Sequence, residues 1–157
     1  VPVKVTYTQL VRDFENISLG ISQARSILGE IGKYLEASIL LRTSKGIDAE
    51  GVPFEGYRSL TYKELRRSRG LPTNIVDLYF GGSMLGALTF EATAQQARVY
   101  FMNTVHVDVF RGTADNKTNA ELAYYNDQIR PFFSISARES EEIIRMFGDY
   151  VFSLMEE

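Results

Sequence analysis

The stretch ISQARSILGEIGKYLEASILLRTSKGIDAEG, residues 21–51, decides how the chain is read. Ile21, Ala24, Ile27, Leu28, Ile31, Leu35 and Ile39, with Leu41 at the end, form one stripe on a 3.6-residue period. Arg25, Glu30, Lys33, Glu36 and Arg42 take the other face. The spacing therefore predicts a long helix, wet on one side and buried on the other. Gly29 and Gly32 sit in mid-helix, where each costs roughly 1 kcal/mol relative to alanine. They mark either the close approach of a neighbouring element or a mild bend. Gly46 supplies a C-cap, and Lys45 puts a positive charge at the negative end of the helix dipole. Asp48 and Glu50 fall in the turn closed by Gly51. Calcium ligation is one reading of them, but the turn lacks the oxygen density of an EF-hand loop, and turn hydrogen bonding is the reading adopted.

Outward from this helix, Val3 to Thr6 alternates and reads as a short strand or an arm. Thr8 is positioned to cap a first helix with Leu10, Val11, Phe14 and Ile17 on one face, so the long helix closes a helical hairpin. Downstream, Val52 to Tyr57 is irregular with aromatic anchors. Leu60 to Gly70 reads as a short helix capped by Thr61, with Glu64 completing a capping box. Leu78 to Leu88 contains Gly81, Gly82 and Gly86 and reads as a turn with a short helix or bend. Leu88–Thr93 and Ala97–Met102 alternate around residues 94–96, which predicts a β-hairpin. Thr104 to Phe110 alternates again, as a third strand or an extended arm. Arg111 to Asn119 is polar and reads as an exposed loop, and Ala120 to Asn126 as one or two helical turns. Ile129 to Ile135 should be extended, because Pro131 removes a donor and restricts Arg130. A last helix follows, with Ser136 as N-cap, Glu139 three positions on, and a stripe of Ile143, Ile144, Phe147, Val151 and Leu154. No repeat or long linker divides residues 1–157, so they read as a single domain with an extended loop or arm at 103–119. The class is α+β: an N-terminal helical hairpin, a small antiparallel β-sheet and a C-terminal helix.

The totals narrow the chemistry. With 157 residues and 45% hydrophobic content, the chain can bury a sizeable core. Its formal net charge of −3 is not that of a general nucleic-acid binder. The absence of cysteine removes disulfides, thiolate nucleophiles and thiolate metal sites. No apolar run approaches the roughly 18 residues that span a bilayer, and Val1-Pro2-Val3-Lys4 has no signal pattern. The expected compartment is the cytoplasm, or a particle assembled there, with no membrane partner. The one histidine, His106, shares a strand face with Thr104 and Asp108. That is either a base and its orienter or an ordinary exposed face. Gly81, Gly82 and Gly86 lack the lysine and spacing of a phosphate loop, and no serine lies in a nucleophile elbow. The chain reads as non-enzymatic, with no cofactor and no metal. Arg58, Lys63, Arg66, Arg67 and Arg69 make the one dense positive patch. It is either a solvated helix face or a docking surface for an acidic partner or DNA phosphate.

The order of these features resembles the phage virion morphogenesis, or tail completion, family of Mu-like and related tailed phages. The resemblance is carried by Ile31-Gly32-Lys33-Tyr34-Leu35, Arg42, Asp48-Ala49-Glu50-Gly51, Pro53-Phe54, Leu60-Thr61-Tyr62-Lys63, Gly82 to Thr89, and Arg130-Pro131-Phe132 before the last helix. It covers roughly Ile31 to Val151. The chain departs from the pattern at Phe54, where tryptophan is common, and at Ala120 to Asn126, which replaces an alanine-x-x-histidine-x-x-glycine segment. The resemblance implies a structural virion protein of the neck: tail completion, head–tail joining or tail termination. Copies would form a ring, expected to be hexameric, between the head connector or stopper and the tail tube, with DNA passing through without sequence-specific binding. The protein would then be found in the virion neck or tail. Under this reading Val105, Val107, Val109 and Phe110 belong to an inter-subunit arm. Gly46, Asp48, Gly51, Arg130, Pro131 and Phe132 are structural, with Arg130 expected to pair with a carboxylate. The alternative is a DNA-binding accessory protein using the Arg58–Arg69 patch.

Overall fold

The structure is a computed structural model and describes residues 3–6, 21–108 and 113–155. In chain order the elements are β1 (Val3–Thr6), α1 (Ile21–Ser44), α2 (Leu60–Ser68), α3 (Ser83–Gly86), β2 (Leu88–Ala92), β3 (Gln96–Phe101), β4 (Val105–Asp108), β5 (Thr113–Thr118), α4 (Asn119–Ile129) and α5 (Ala137–Met155). The class is α+β, as expected. The first helix anticipated from Thr8 to Ile17 lies outside the described residues, as do Val109 and Phe110. The described residues group into two compact units. One draws on 3–6, 21–38, 89–100 and 135–155, the other on 39–88, 101–108 and 113–134.

In the first unit, Ala24, Ile27, Leu28, Ile31 and Leu35 of α1 are buried, as the stripe predicts. The sheet has the order β1-β3-β2, with Val3 opposite Val99 and Val5 opposite Ala97. Strand β3 alternates, burying Ala97 and Val99. Its other face carries Arg98, whose guanidinium lies 4.5 Å from the Tyr100 ring centroid. Helix α5 opens with the expected capping box. Ser136 Oγ accepts from Glu139 N at 3.1 Å, and the Glu139 carboxylate accepts from Ser136 N at 2.8 Å. Ile143, Phe147 and Val151 are buried, whereas Ile144 is exposed, so the stripe is narrower than the sequence suggested. Close packing, rather than a bend, explains Gly32. A Cβ there would lie 2.7 Å from Phe90 Cδ2 and 3.3 Å from Phe90 Cβ.

In the second unit, α1 ends as expected on Gly46, whose φ of 72° is left-handed. Asp48 Oδ1 accepts from Glu50 N at 2.9 Å and Val52 N at 2.8 Å, closing the turn with Gly51 at φ 80°. Two assignments along α1 are corrected. Leu41, placed on the apolar stripe, is 57% exposed, and Arg42, placed on the wet face, is buried. Arg42 Nη2 donates to Phe132 O at 3.1 Å and to Ser134 O. The segment around Pro131 is in neither helix nor strand. Its carbonyls need donors from elsewhere, and the guanidinium supplies them. Phe132 is fully buried, with the Phe101 ring 5.9 Å away edge-on, while Pro131 is exposed.

Further corrections concern α2, α4 and the arm. Ser59 caps α2, not Thr61: its hydroxyl accepts from Tyr62 N at 3.2 Å. The polar stretch anticipated as a loop after Arg111 contains strand β5, paired antiparallel with β4. Thr113 to Thr118 has no apolar alternation, so only pairing reveals it as a strand. Helix α4 runs 11 residues, longer than the expected turn or two, because Thr118 and Glu121 form a full capping box at its start.

Gly32→Ala should destabilise the chain by about 1–3 kcal/mol, because Phe90 is too close to its own backbone to move aside cheaply. Gly29→Ala meets only Ala92 Cβ at 3.9 Å and should stabilise by up to about 1 kcal/mol. Urea unfolding of the two variants checks this, and equal effects would contradict the packing described.

Candidate functional site

Helix α2 carries the positive patch and inverts the usual helix logic. Leu60, at 74%, and Leu65 are exposed, while Arg66 is fully buried. Arg66 Nε donates to Pro72 O at 2.7 Å, Nη1 to Tyr79 O at 2.7 Å and Nη2 to Asp77 Oδ1 at 2.9 Å. Its guanidinium also lies 4.7 Å from the Tyr57 ring centroid and 5.9 Å from that of Tyr62. Arg66 therefore does not belong to a surface patch, and its planar fork explains why an arginine stands there. Arg67 and Arg69 are exposed and Lys63 is half-exposed. Arg58 is exposed too, with its Nε 2.9 Å from Glu55 Oε1. Removing Arg66 from the patch leaves it thinner than the sequence suggested.

The Arg66 contacts shape the segment that follows. Asp77 Oδ1 also accepts from Tyr79 N at 3.0 Å, and Leu78 between them has a φ of 54°, a conformation that a bulky residue holds only when its neighbours fix it. Beside this segment lies a cavity of about 730 Å³. Tyr57, Tyr62 and Phe80 line it, with rings 5.2 and 5.6 Å apart along the series. Met84, Ile129 and Arg130 also line it. Arg130 was expected to meet a carboxylate. Instead its Nε donates to the Glu55 backbone carbonyl at 3.3 Å, and its guanidinium lies 5.9 Å from the Tyr57 ring centroid. The Tyr57 hydroxyl oxygen is buried without a hydrogen-bond partner among the described residues. Burial pushes the Tyr57 phenol up to about 12, against the opposing pull of Arg66.

His106 also lines the cavity, and its ring is held by Asn119. His106 Nδ1 is 2.9 Å from Asn119 Oδ1, which also accepts from Ser83 Oγ at 3.1 Å, while Asn119 Nδ2 donates to Thr104 Oγ1 at 2.9 Å. With the Asn119 amide assigned in that sense, Nδ1 carries the proton. The network ties β4 to α3 and to the first residue of α4. Strand β4 leaves Val105 56% and Val107 42% exposed. No group of three or more metal-ligating side chains occurs among the described residues, and none of their helices is long and apolar enough to cross a membrane.

Comparison with protein-family models, with curated proteins and with solved structures finds no match to the chain. The cavity itself escaped the sequence reading because Tyr57, Phe80, His106 and Ile129 come from four separate segments. The one local signal was the density of aromatics between Phe54 and Phe80.

Arg66→Ala should cost about 3–5 kcal/mol in urea unfolding, the penalty for orphaning buried partners of a charge. Arg66→Lys should not restore it, and exposed Arg67→Ala should stay within about 0.5 kcal/mol. Equal effects of Arg66→Ala and Arg67→Ala would contradict the buried fork. Tyr57 adds a pH prediction. Its folded pKa lies above the unfolded value of 10, so its contribution is fully present below pH 10 and is lost as pH rises towards 12. The stability difference between the native chain and Tyr57→Phe should therefore shift against the native chain across that window, and a difference constant with pH would contradict it.

Proposed function

We propose that this chain is a structural virion protein of a tailed-phage neck, acting in tail completion, head–tail joining or tail termination. In this role copies assemble head-to-tail as a ring between the head connector or stopper and the tail tube. The protein is non-enzymatic, and DNA passes through the ring without sequence-specific binding. Two things support the reading: the order of motifs from Ile31 to Val151, and the ribbon formed by β4 and β5.

The ribbon carries most of the weight. It is a two-stranded sheet that pairs with no further strand among the described residues, and isolated two-stranded ribbons are marginal in water. Val105 and Val107 are exposed on it, and described side chains accept from its backbone at only two places, Ser83 Oγ from Val107 N at 3.4 Å and Glu121 Oε2 from Thr118 N at 2.8 Å. Exposed strand edges with apolar side chains are what a subunit uses to add to a neighbour's sheet. A heterologous contact of that kind closes a ring when its rotation permits. This replaces the single extended arm expected at 103–119 with a folded hairpin that does the same work.

Replacing residues 104–118 by a short glycine-serine link should leave a cooperatively folding subunit that no longer forms rings, as judged by native mass spectrometry and negative-stain microscopy. Rings of unchanged size in that variant would remove the hairpin from the interface. A monomeric native chain that instead binds duplex DNA, with a salt slope flattened by Arg67→Ala and Arg69→Ala, would return the accessory-protein alternative.

A further inference from the structure

Building on the ring reading, we propose that the cavity of the second unit receives the Phe152 side chain of another copy. The cavity sets out what its occupant must look like. Its aromatic wall of Tyr57, Tyr62 and Phe80 calls for an apolar group. Arg58 and Arg130 are among its lining residues, and the one carboxylate among them, Glu55, is already engaged by Arg58 at 2.9 Å. An apolar side chain carried next to carboxylates satisfies both conditions.

Helix α5, in the first unit, presents such a group. Phe152 is 64% exposed, among the more open large apolar residues described. Asp149 stands three positions before it, within one helical turn, and exposed Ile144 and Glu141 share the same face. Arg145 lies there too, taken up by Glu142 at 2.9 Å and Asp149 at 2.7 Å, and Arg138 stands a turn before Glu142, so Glu141, Glu142 and Asp149 face two cations and leave a small acidic excess. The charge of this face is thus opposite to that of the cavity. A large side chain filling a pocket from which water is excluded is the form an interface hot spot takes. The cavity also falls within the roughly 300–1,000 Å³ typical of binding pockets. Knob and cavity are different surfaces, so the contact is heterologous, the kind a ring requires.

The chain has no cysteine, which makes a cross-link unambiguous. Ile129→Cys and Phe152→Cys chains, each prepared alone and then mixed and oxidised, should give a covalent dimer in the mixture only. Phe152→Ala and Arg130→Glu should each weaken self-association about tenfold or more in sedimentation. A dimer of Phe152→Cys with itself, or no cross-link in the mixture, overturns the contact. If rings persist unchanged in Phe152→Ala, this contact falls and the ring reading stands. If the native chain is monomeric at every concentration and the mixture fails to cross-link, both fall. In assembled particles, cross-linking of Ile129→Cys to a connector or tail protein and not to Phe152→Cys would overturn the proposal in favour of a different occupant.

Discussion

A guanidinium with no route to water must find its acceptors inside the protein, and Arg66 finds them in the segment that follows its own helix. Pro72 O, Asp77 Oδ1 and Tyr79 O all converge on it. Residues 70–82 contain no regular element long enough to hold their own shape, so this fork substitutes for one. It accounts for the left-handed Leu78 and for the position of Tyr79, whose ring lies 3.0 Å from where a Cβ on Gly82 would stand. It also sets Tyr57 and Tyr62 around its guanidinium. The aromatic wall of the cavity is thus organised by a charge that never reaches the surface. Arg42 repeats the device at the other irregular stretch, donating to the carbonyls around Phe132 and Ser134. In both places an arginine does what a sheet partner does elsewhere: it satisfies backbone groups that would otherwise be buried unpaired.

The surface complements this interior. Large apolar side chains stand open on several elements, including Leu60, Val105, Tyr124, Ile129 and Phe152. Single exposed residues of this kind are ordinary, and those on the two-stranded ribbon and around the cavity are the ones the neck proposal assigns to contacts. The neck reading gives them a cover, in the form of further copies of the chain and the proteins above and below the ring.

Much of the fold was legible because its signals are local. The stripe of α1 from Ala24 to Ile39, the Ser136–Glu139 box of α5, the alternation of β3 and the Asp48 turn rest on residues close in sequence, and each formed as read. What was not legible depends on distance. Periodicity assigns every charge to the outside, so Arg42 and Arg66 were misplaced; the acceptors of Arg42 lie 90 and 92 positions away. Strand β5, Thr113 to Thr118, has the composition of a loop and becomes a strand only through its pairing with β4. Arg130 was expected to meet a carboxylate because charge suggests charge, yet a backbone carbonyl and a tyrosine ring hold it. The candidate cavity was the least legible part, since its walls are assembled from segments that no sequence window joins.

The central claim, that the chain joins heads to tails, is tested most directly by electron microscopy of particles assembled without it. DNA-filled heads beside free, unattached tails are the predicted result, and tails of uncontrolled length would narrow the role to tail termination. Normal, infectious particles would contradict the account.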